Sequence, residues 1–412
     1  LERISGVGGP DTASPILLPF NHRPRILTTT EINARQTRES LSSLSDIWTE
    51  EYVSPNGMAG VVAHWGVKHT RADLDRQVAL IAEEYGFDSP IGNRDNTGFD
   101  TLYRMPDGQT EEEIDLDVER VALIIARKAM ELRGWKPEDV DRLDFGNSVG
   151  KGDMATDLAA KLGLVNAQTS NAYLACNSSG FLLDERLRDE SSRGKKVLLL
   201  SVDAITRLMR NIDETDINSI QMFSNGAGAL TYIPGVDLIH LGGFAAESRD
   251  RVGITAIAPY GSSEDKETVL FRRGNTAMVD MTPSPYGMMS RMDVKETARE
   301  FVETADKSAK GAVADYRMGR EEDDQQIDII IGHMPSKLVH AKLKGKLRKS
   351  HLNLPESEWG IVTDGNSSGA TSLIAFNRSM GEYQPRQRGL YISYGAGGTS
   401  NSFVFEIGGG TA

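Results

Sequence analysis

Two short runs, Lys195-Lys-Val-Leu-Leu-Leu-Ser201 and Ile327-Asp-Ile-Ile-Ile-Gly332, constrain the fold more than anything else in the chain. Each holds a short unbroken apolar core, Val197–Leu200 and Ile329–Ile331, instead of alternating, so each reads as a buried strand. Such strands need helices above and below them, the α/β arrangement. Amphipathic segments can supply that cover. Val118, Val121, Leu123-Ile-Ile125, Ala129 and Leu132 recur at helical spacing and stop at Gly134, and residues 153–163 form a second helix stopped by Gly163. Residues 288–316 read as one long helix with Met288, Met289 and Met292 in its core, and 337–349 as another with Val339, Leu343 and Leu347 in one row.

Other elements are expected as follows: a strand at 4–9, a helix from Thr30, helix or loop over 36–50, a helix over 72–85 and an irregular connection from Gly86 to Asp117. Near the end, Gly389–Tyr394 and Ser402–Ile407 read as strands around Gly395-Ala-Gly-Gly398. A dinucleotide loop would need a sixth-position glycine and a following helix, and this turn has neither.

Composition excludes several classes. One cysteine in 412 residues rules out an intramolecular disulfide framework and any cysteine-based zinc cage. No apolar run approaches the roughly 20 residues that span a bilayer. The first residues lack a basic segment followed by an apolar core, so a cytoplasmic location is the expectation. His64 and His69, five apart, match no metal-ligand spacing, and nothing points to a metal or redox cofactor. A formal charge of −13 disfavours nucleic-acid binding and sets off the basic helix with Lys337, Lys342, Lys344 and Lys346, a candidate docking face for an anionic partner.

That one cysteine sits in Asn171-Ala-Tyr-Leu-Ala-Cys176-Asn-Ser-Ser-Gly180-Phe181, where an apolar run turns into a helix. A helix N-terminus favours a thiolate. His333 closes a buried strand, and Asn366 lies in the turn Asp364-Gly-Asn-Ser-Ser-Gly-Ala-Thr371. A thiol to attack a thioester, with an imidazole and an amide to hydrogen-bond the oxyanion, are the residue types of acyl transfer.

In that order the motifs resemble the thiolase-like condensing enzymes, most closely the 3-oxoacyl-(acyl carrier protein) synthase III branch. The resemblance runs from about Trp48 to Ile407. Cys176 followed by Gly180-Phe181 is similar to the nucleophile motif, with Asn177-Ser-Ser179 inserted. Ile331-Gly-His333-Met-Pro-Ser336 is similar to a His-Gln-Ala-Asn motif of which only the histidine is kept. Asp364-Gly-Asn366-Ser-Ser is similar to Gly-Asn-Thr-Ser, and Phe223-Ser-Asn-Gly-Ala-Gly-Ala to Phe-Gly-Asp-Gly-Ala-Gly-Ala. Tyr394-Gly-Ala-Gly397-Gly-Thr resembles the closing glycine loop, and Trp65-Gly-Val-Lys68-His-Thr-Arg71 the Thr-Gly-Ile-Arg segment near the pantetheine entrance.

The resemblance implies a thiolase fold, five layers α-β-α-β-α in two pseudo-symmetric halves, 1–234 with an insertion at 72–118 and 235–412, usually as a homodimer. It implies Cys176, His333 and Asn366 as catalytic, the Cys176 and Gly397 N–H groups as oxyanion hole, and Trp65, Lys68, Arg71, Lys337 and Lys342 as substrate-binding. Acyl-CoA or acyl carrier protein would be substrate or partner, without nucleic acid or membrane. The reaction would be acylation of Cys176 and decarboxylative Claisen condensation with a malonyl thioester. Transfer of the acyl group to an alcohol, amine or other carbon nucleophile without decarboxylation is the alternative, and an inactive scaffold subunit a third.

Overall fold

A computed structural model describes residues 47–85, 97–148, 152–207, 221–247, 254–257, 268–269, 272–273, 276–277, 289–292, 294–321, 325–333, 335–349, 364–395 and 399–409. The strand expected at 4–9, the helix expected from Thr30, Met334 and the loop with Gly397 lie outside these residues.

The first strands, β1 (Ile47–Val53) and β2 (Ala59–Trp65), pair antiparallel around Gly57, whose φ is +91°. Residues 47–50, expected in helix or loop, are therefore strand. Ile, Trp, Thr, Tyr and Val along β1 suit a half-buried pleated surface. After β3 (Val67–Thr70) and α1 (Arg71–Tyr85), the stretch expected to be irregular contains β4 (Thr101–Arg104), paired with β3. It also contains the start of α2 (Glu111–Arg133), fixed by a Thr110–Glu113 capping box and ended by Gly134 at φ +71°.

β5 (Arg142–Gly146), α3 (Met154–Leu162) and β6 (Gln168–Ala172) follow as a parallel crossover. A 3-10 turn at Ala175–Asn177 leads into α4 (Ser178–Arg188), and then come β7 (Val197–Asp203) and β8 (Gly226–Tyr232). The first sheet has the order β1-β2-β8-β7-β5-β6, with β7, β5 and β6 parallel. β7 is buried along its whole length, as its unbroken apolar run requires.

The chain leaves this sheet at Tyr232 and enters the second at β9 (Leu238–Glu247). We propose this crossing as the boundary between the halves. β10 (Ile254–Ile257) pairs with β11 (Thr268–Val269), β12 (Arg272–Arg273) with β13 (Thr276–Ala277), and β10 also with β14 (Met289–Met292). This corrects the long helix expected over 288–316: Met289 and Met292 are in strand, because ladder pairing with Ile254–Ile257 overrides a modest helix preference. The helix α5 begins only at Val294 and runs to Arg317.

β15 (Ile329–Gly332), α6 (Lys337–Arg348), α7 (Thr371–Arg378), β16 (Arg388–Gly395) and β17 (Thr399–Ile407) complete the described chain. The second sheet is ordered β15-β16-β17-β9, parallel at β15–β16 and antiparallel beyond. The strands β5, β7, β8 and β2 of the first sheet follow the same sequence of directions.

α2 packs on β2, β8 and β7, and α3 on β5 and β6, while α4 and α7 lie between the two sheets and α5 covers β9, β17 and β16 with α6 beside it. The layers are thus α-β-α-β-α. Ile114, Val118, Val121, Ile125 and Met130 on α2 are nearly or fully buried, each worth roughly 1.5–3 kcal/mol over exposure. The core between the sheets joins Leu182 and Leu183 of α4, Leu373, Ile374 and Phe376 of α7, and Leu199, Tyr391 and Phe403 of the strands. Residues 44–412 are accordingly one unit. Among the described residues, no helix is long and apolar enough to cross a membrane.

Candidate active site

Cys176 lies in the 3-10 turn between β6 and α4, buried at 6% exposure. Ala175 before it has φ +49°, a left-handed torsion that turns the chain sharply into the helix. The three residues inserted after the cysteine fasten this turn. Ser178 Oγ accepts from Leu174 N at 2.9 Å and lies 2.9 Å from the Asn147 carbonyl, Ser179 Oγ donates to Gly369 O, and Asn177 Nδ2 donates to Asn401 Oδ1 at 3.0 Å.

A second turn of similar build faces the first. Ser368 has φ +49° and opens a 3-10 turn, Ser368–Ala370, into α7. Asn366 is bridged to Phe223, and its Oδ1 accepts from Ser368 N at 2.9 Å and Thr371 Oγ1 at 3.2 Å. With Oδ1 occupied, the group Asn366 can offer a substrate is its Nδ2 donor. Ser368 Oγ stands 3.1 Å from Cys176 Sγ, so the two turns touch at the thiol.

His333 follows β15, its N–H donating to the Ile392 carbonyl at 2.9 Å. It is fully buried, and neither ring nitrogen has a hydrogen-bond partner among the described residues. Burial lowers its pKa to about 3, so the imidazole is neutral at ordinary pH. A buried polar group left unpaired costs about 1–3 kcal/mol, a condition the ring shares with the neighbouring Tyr394 hydroxyl. The imidazole meets Tyr394 edge-on at 5.1 Å. Tyr394 is itself raised well above the usual tyrosine range by burial and by the Cys176 charge, and Gly395 packs against the Cys176 turn so tightly that a Cβ there would lie 3.0 Å from Cys176 N. Cys176, Asn366 and His333 are thereby joined through Ser368, Tyr394 and Gly395.

The other expected residues are dispersed. Trp65 is corrected: fully buried, it packs with Val118, Val121 and Met105 in the core under α2, not at an open entrance. Lys68 and Arg71 are exposed, with Arg71 3.8 Å from Asp100. Lys337 and Lys342 are exposed on α6, whose Leu343 and Leu347 are buried as the helical row required. The segment that reaches the site is another one, Thr97-Gly98-Phe99 with β4. A Cβ at Gly98 would meet Lys337, Tyr103 O accepts from Asn225 N at 2.7 Å, and Leu102 abuts Gly365. Its Thr-Gly pair was the available signal, closer in wording to the family segment than Trp65-Gly66.

His64 belongs to a polar group beside this segment. Its Nε2 lies 3.5 Å from Asp364, and Arg378 pairs with Asp364 at 2.6 Å and with Glu50 at 2.7 Å. Glu50, His64 and Asp364 bring ligand-type atoms within 4.8 Å of one another, and the Arg378 guanidinium is ion-paired with both carboxylates.

Comparison with known proteins bears on the fold. No family model matches the chain. The chain is 24% identical over 331 residues to a beta-ketoacyl-[acyl-carrier-protein] synthase III of Xanthomonas campestris, covering 76% of this chain and 88% of that one. The chain has the thiolase fold and is similar to condensing enzymes of the synthase III type. The priming beta-ketosynthase of the R1128 polyketide pathway shares the fold at TM-score 0.62 and 18% identity, over 88% of this chain and 98% of its own. The Xanthomonas campestris OleA structure with lauric acid and lauroyl-CoA does so at 0.61 and 14%, over 86% and 99%. In this synthase III-like chain the turn of Cys176 meets the turn that follows Asn366, through Ser368.

Proposed function

We propose that the protein is a 3-oxoacyl synthase. Cys176 takes an acyl group from acyl-CoA or an acyl carrier protein, at a turn where helix N–H groups favour the thiolate. A malonyl thioester then places its carbonyl between His333 and Asn366. The neutral imidazole and the Asn366 Nδ2 donate to the enolate oxygen that forms as carbon dioxide leaves, and the enolate carbon attacks the acyl-enzyme. The Cys176 and Gly397 N–H groups form the oxyanion hole in this reading. Lys337 and Lys342, with Lys68 and Arg71, meet the CoA phosphates or the acidic carrier. The family resemblance also supports a homodimer, which light scattering in solution tests.

The observation that carries the proposal is the buried, unpaired His333 against Tyr394, the tyrosine on which the Cys176 charge also acts. The test is intact-protein mass of wild type and Cys176→Ala mixed with a panel of acyl-CoAs, then chased with malonyl-carrier protein. Acylation of wild type alone, discharged with loss of carbon dioxide, is expected. Acyl-enzyme discharged only by other nucleophiles would replace condensation with simple acyl transfer, and no acylation would overturn both.

A further inference from the structure

A chain of hydroxyl groups runs from the thiol to a buried carboxylate. Cys176 Sγ is 3.1 Å from Ser368 Oγ, and Ser148 Oγ lies 2.5 Å from Ser368 Oγ and donates to Asp203 Oδ2 at 2.9 Å. Asp203 ends β7 and is 1% exposed, and its Oδ1 accepts from Ser148 N at 2.9 Å and its Oδ2 from Gly369 N at 2.8 Å. Among the described residues no cation pairs directly with it. Arg207, the cation that acts on it through space, is bound to Asp115 at 2.8 Å. A carboxylate in such a place is costly, and two backbone N–H groups would be satisfied as well by neutral acceptors.

We propose that Ser368, Ser148 and Asp203 form a proton relay that removes the thiol proton of Cys176 for acylation and returns it when the thiol is regenerated. This rests on the reading of Cys176 as the acylated nucleophile. In the forward step the S–H bond breaks and its proton passes to Ser368 Oγ. Ser368 gives its own proton to Ser148 Oγ, and Ser148 gives its own to Asp203 Oδ2, leaving a thiolate, two unchanged hydroxyls and one carboxylic acid. The thiolate attacks the donor carbonyl, and the donor thiolate that departs takes its proton from solvent. When condensation later expels Cys176 from the acyl-enzyme, the Asp203 proton returns along the same path. Burial raises Asp203 to about 7, so near neutrality it can both accept and release a proton. Tyr394, from β16, also faces the thiol and is protonated throughout. Ser368 touches the reacting sulfur, while Ser148 and Asp203 act through it as positioning residues.

The relay is tested by the pH profile of Cys176 alkylation with iodoacetamide, in wild type, Ser148→Ala, Ser148→Thr, Ser368→Gly and Asp203→Asn. Glycine adopts the φ +49° of Ser368 without strain and removes its hydroxymethyl group. Ser148→Ala, Ser368→Gly and Asp203→Asn are expected to move the profile up by about one pH unit, slowing alkylation near neutrality about tenfold. Ser148→Thr, which keeps the hydroxyl, is expected to stay within about twofold of wild type. A folded Ser148→Ala or Asp203→Asn protein with the wild-type profile overturns the relay. Should neither fold, wild-type alkylation in mixtures of light and heavy water decides: a curved dependence on deuterium fraction is expected, and a straight line overturns the proposal. Acyl-CoA plays no part in alkylation, so failure of the relay is separable from failure of the functional reading.

Discussion

Ala175 and Ser368 share one backbone torsion, φ +49°, and each opens a 3-10 turn that feeds a helix lying between the two sheets. One turn presents Cys176 and the other the hydroxyl that touches it. The left-handed torsion is costly for a residue with a Cβ and worse for a branched one. Ala175→Val is therefore expected to lower stability by about 1–3 kcal/mol and to slow Cys176 alkylation. Urea unfolding and alkylation rates check it, and an unchanged urea midpoint would show that the turn carries no strain.

Gly395 is a second point of close approach. A Cβ there would lie 2.9 Å from Leu174 O and Asn177 N and 3.0 Å from Cys176 N, all backbone atoms that cannot swing aside. Gly395→Ala should displace the nucleophile turn and reduce acylation at least about tenfold, since misplacement by about 1 Å can cost 100-fold. Mass spectrometry of the acyl-enzyme against time measures this, with thermal unfolding as the control.

His333 predicts a particular acid sensitivity. Its pKa is about 3 in the fold and about 6.5 in an unfolded chain, so between those values the unfolded state binds the extra proton. Stability is thus lost as pH falls from about 6.5 toward 3, by roughly 1.4 kcal/mol per pH unit from this group. Asp203, raised to about 7, pulls the other way, its contribution being lost as pH rises from about 4 to 7. Comparing His333→Gln with wild type isolates the first effect. The variant should lose less stability between pH 6.5 and 5 in denaturant titrations, and parallel curves would refute the buried neutral imidazole.

Arg186 on α4 forks onto Asp144 of β5, at 2.9 Å through Nε and 3.0 Å through Nη2, and both side chains are buried. Removing one partner of such a pair strands the other charge. Arg186→Ala is expected to cost about 3–5 kcal/mol, whereas the double change Arg186→Met with Asp144→Leu should recover much of it. Chemical denaturation of the three proteins distinguishes a stranded charge from lost packing.

The exposed cations of α6 give a prediction in rates. Lys337→Glu with Lys342→Glu should leave alkylation of Cys176 unchanged and raise KM for a carrier-protein or CoA donor several-fold. The wild-type value should weaken with salt, because exposed charges are screened over about 10 Å at 0.1 M. A KM indifferent to both salt and charge reversal would remove this face from the docking surface.

The sequence by itself determined the periods. The unbroken run of β7, the helical row of α6 and the glycine stops at Gly134 and Gly163 are local signals, written by burial on two faces, burial on one face, and a left-handed cap. It also marked Cys176, Asn366 and His333, because a thiol, an amide and an imidazole at element ends are unusual enough in kind to stand out. Only the tertiary structure decided their company. The tetrapeptide Asn-Ser-Ser-Gly occurs at 177–180 and again at 366–369, yet Asn177 follows its left-handed residue and Asn366 precedes it, so the likeness in letters is not a likeness in place. Trp65 and the Met289–Met292 segment went astray for the same cause: whether an apolar residue meets substrate, core or a neighbouring strand depends on contacts distant in sequence. Ser148 and Asp203 carry no local pattern at all, and Ser368 stands in a motif that does not announce its contact with the thiol. They come from the bend after β5, the end of β7 and the turn before α7, and it is the stacking of two sheets about α4 and α7 that sets them in one line behind the thiol.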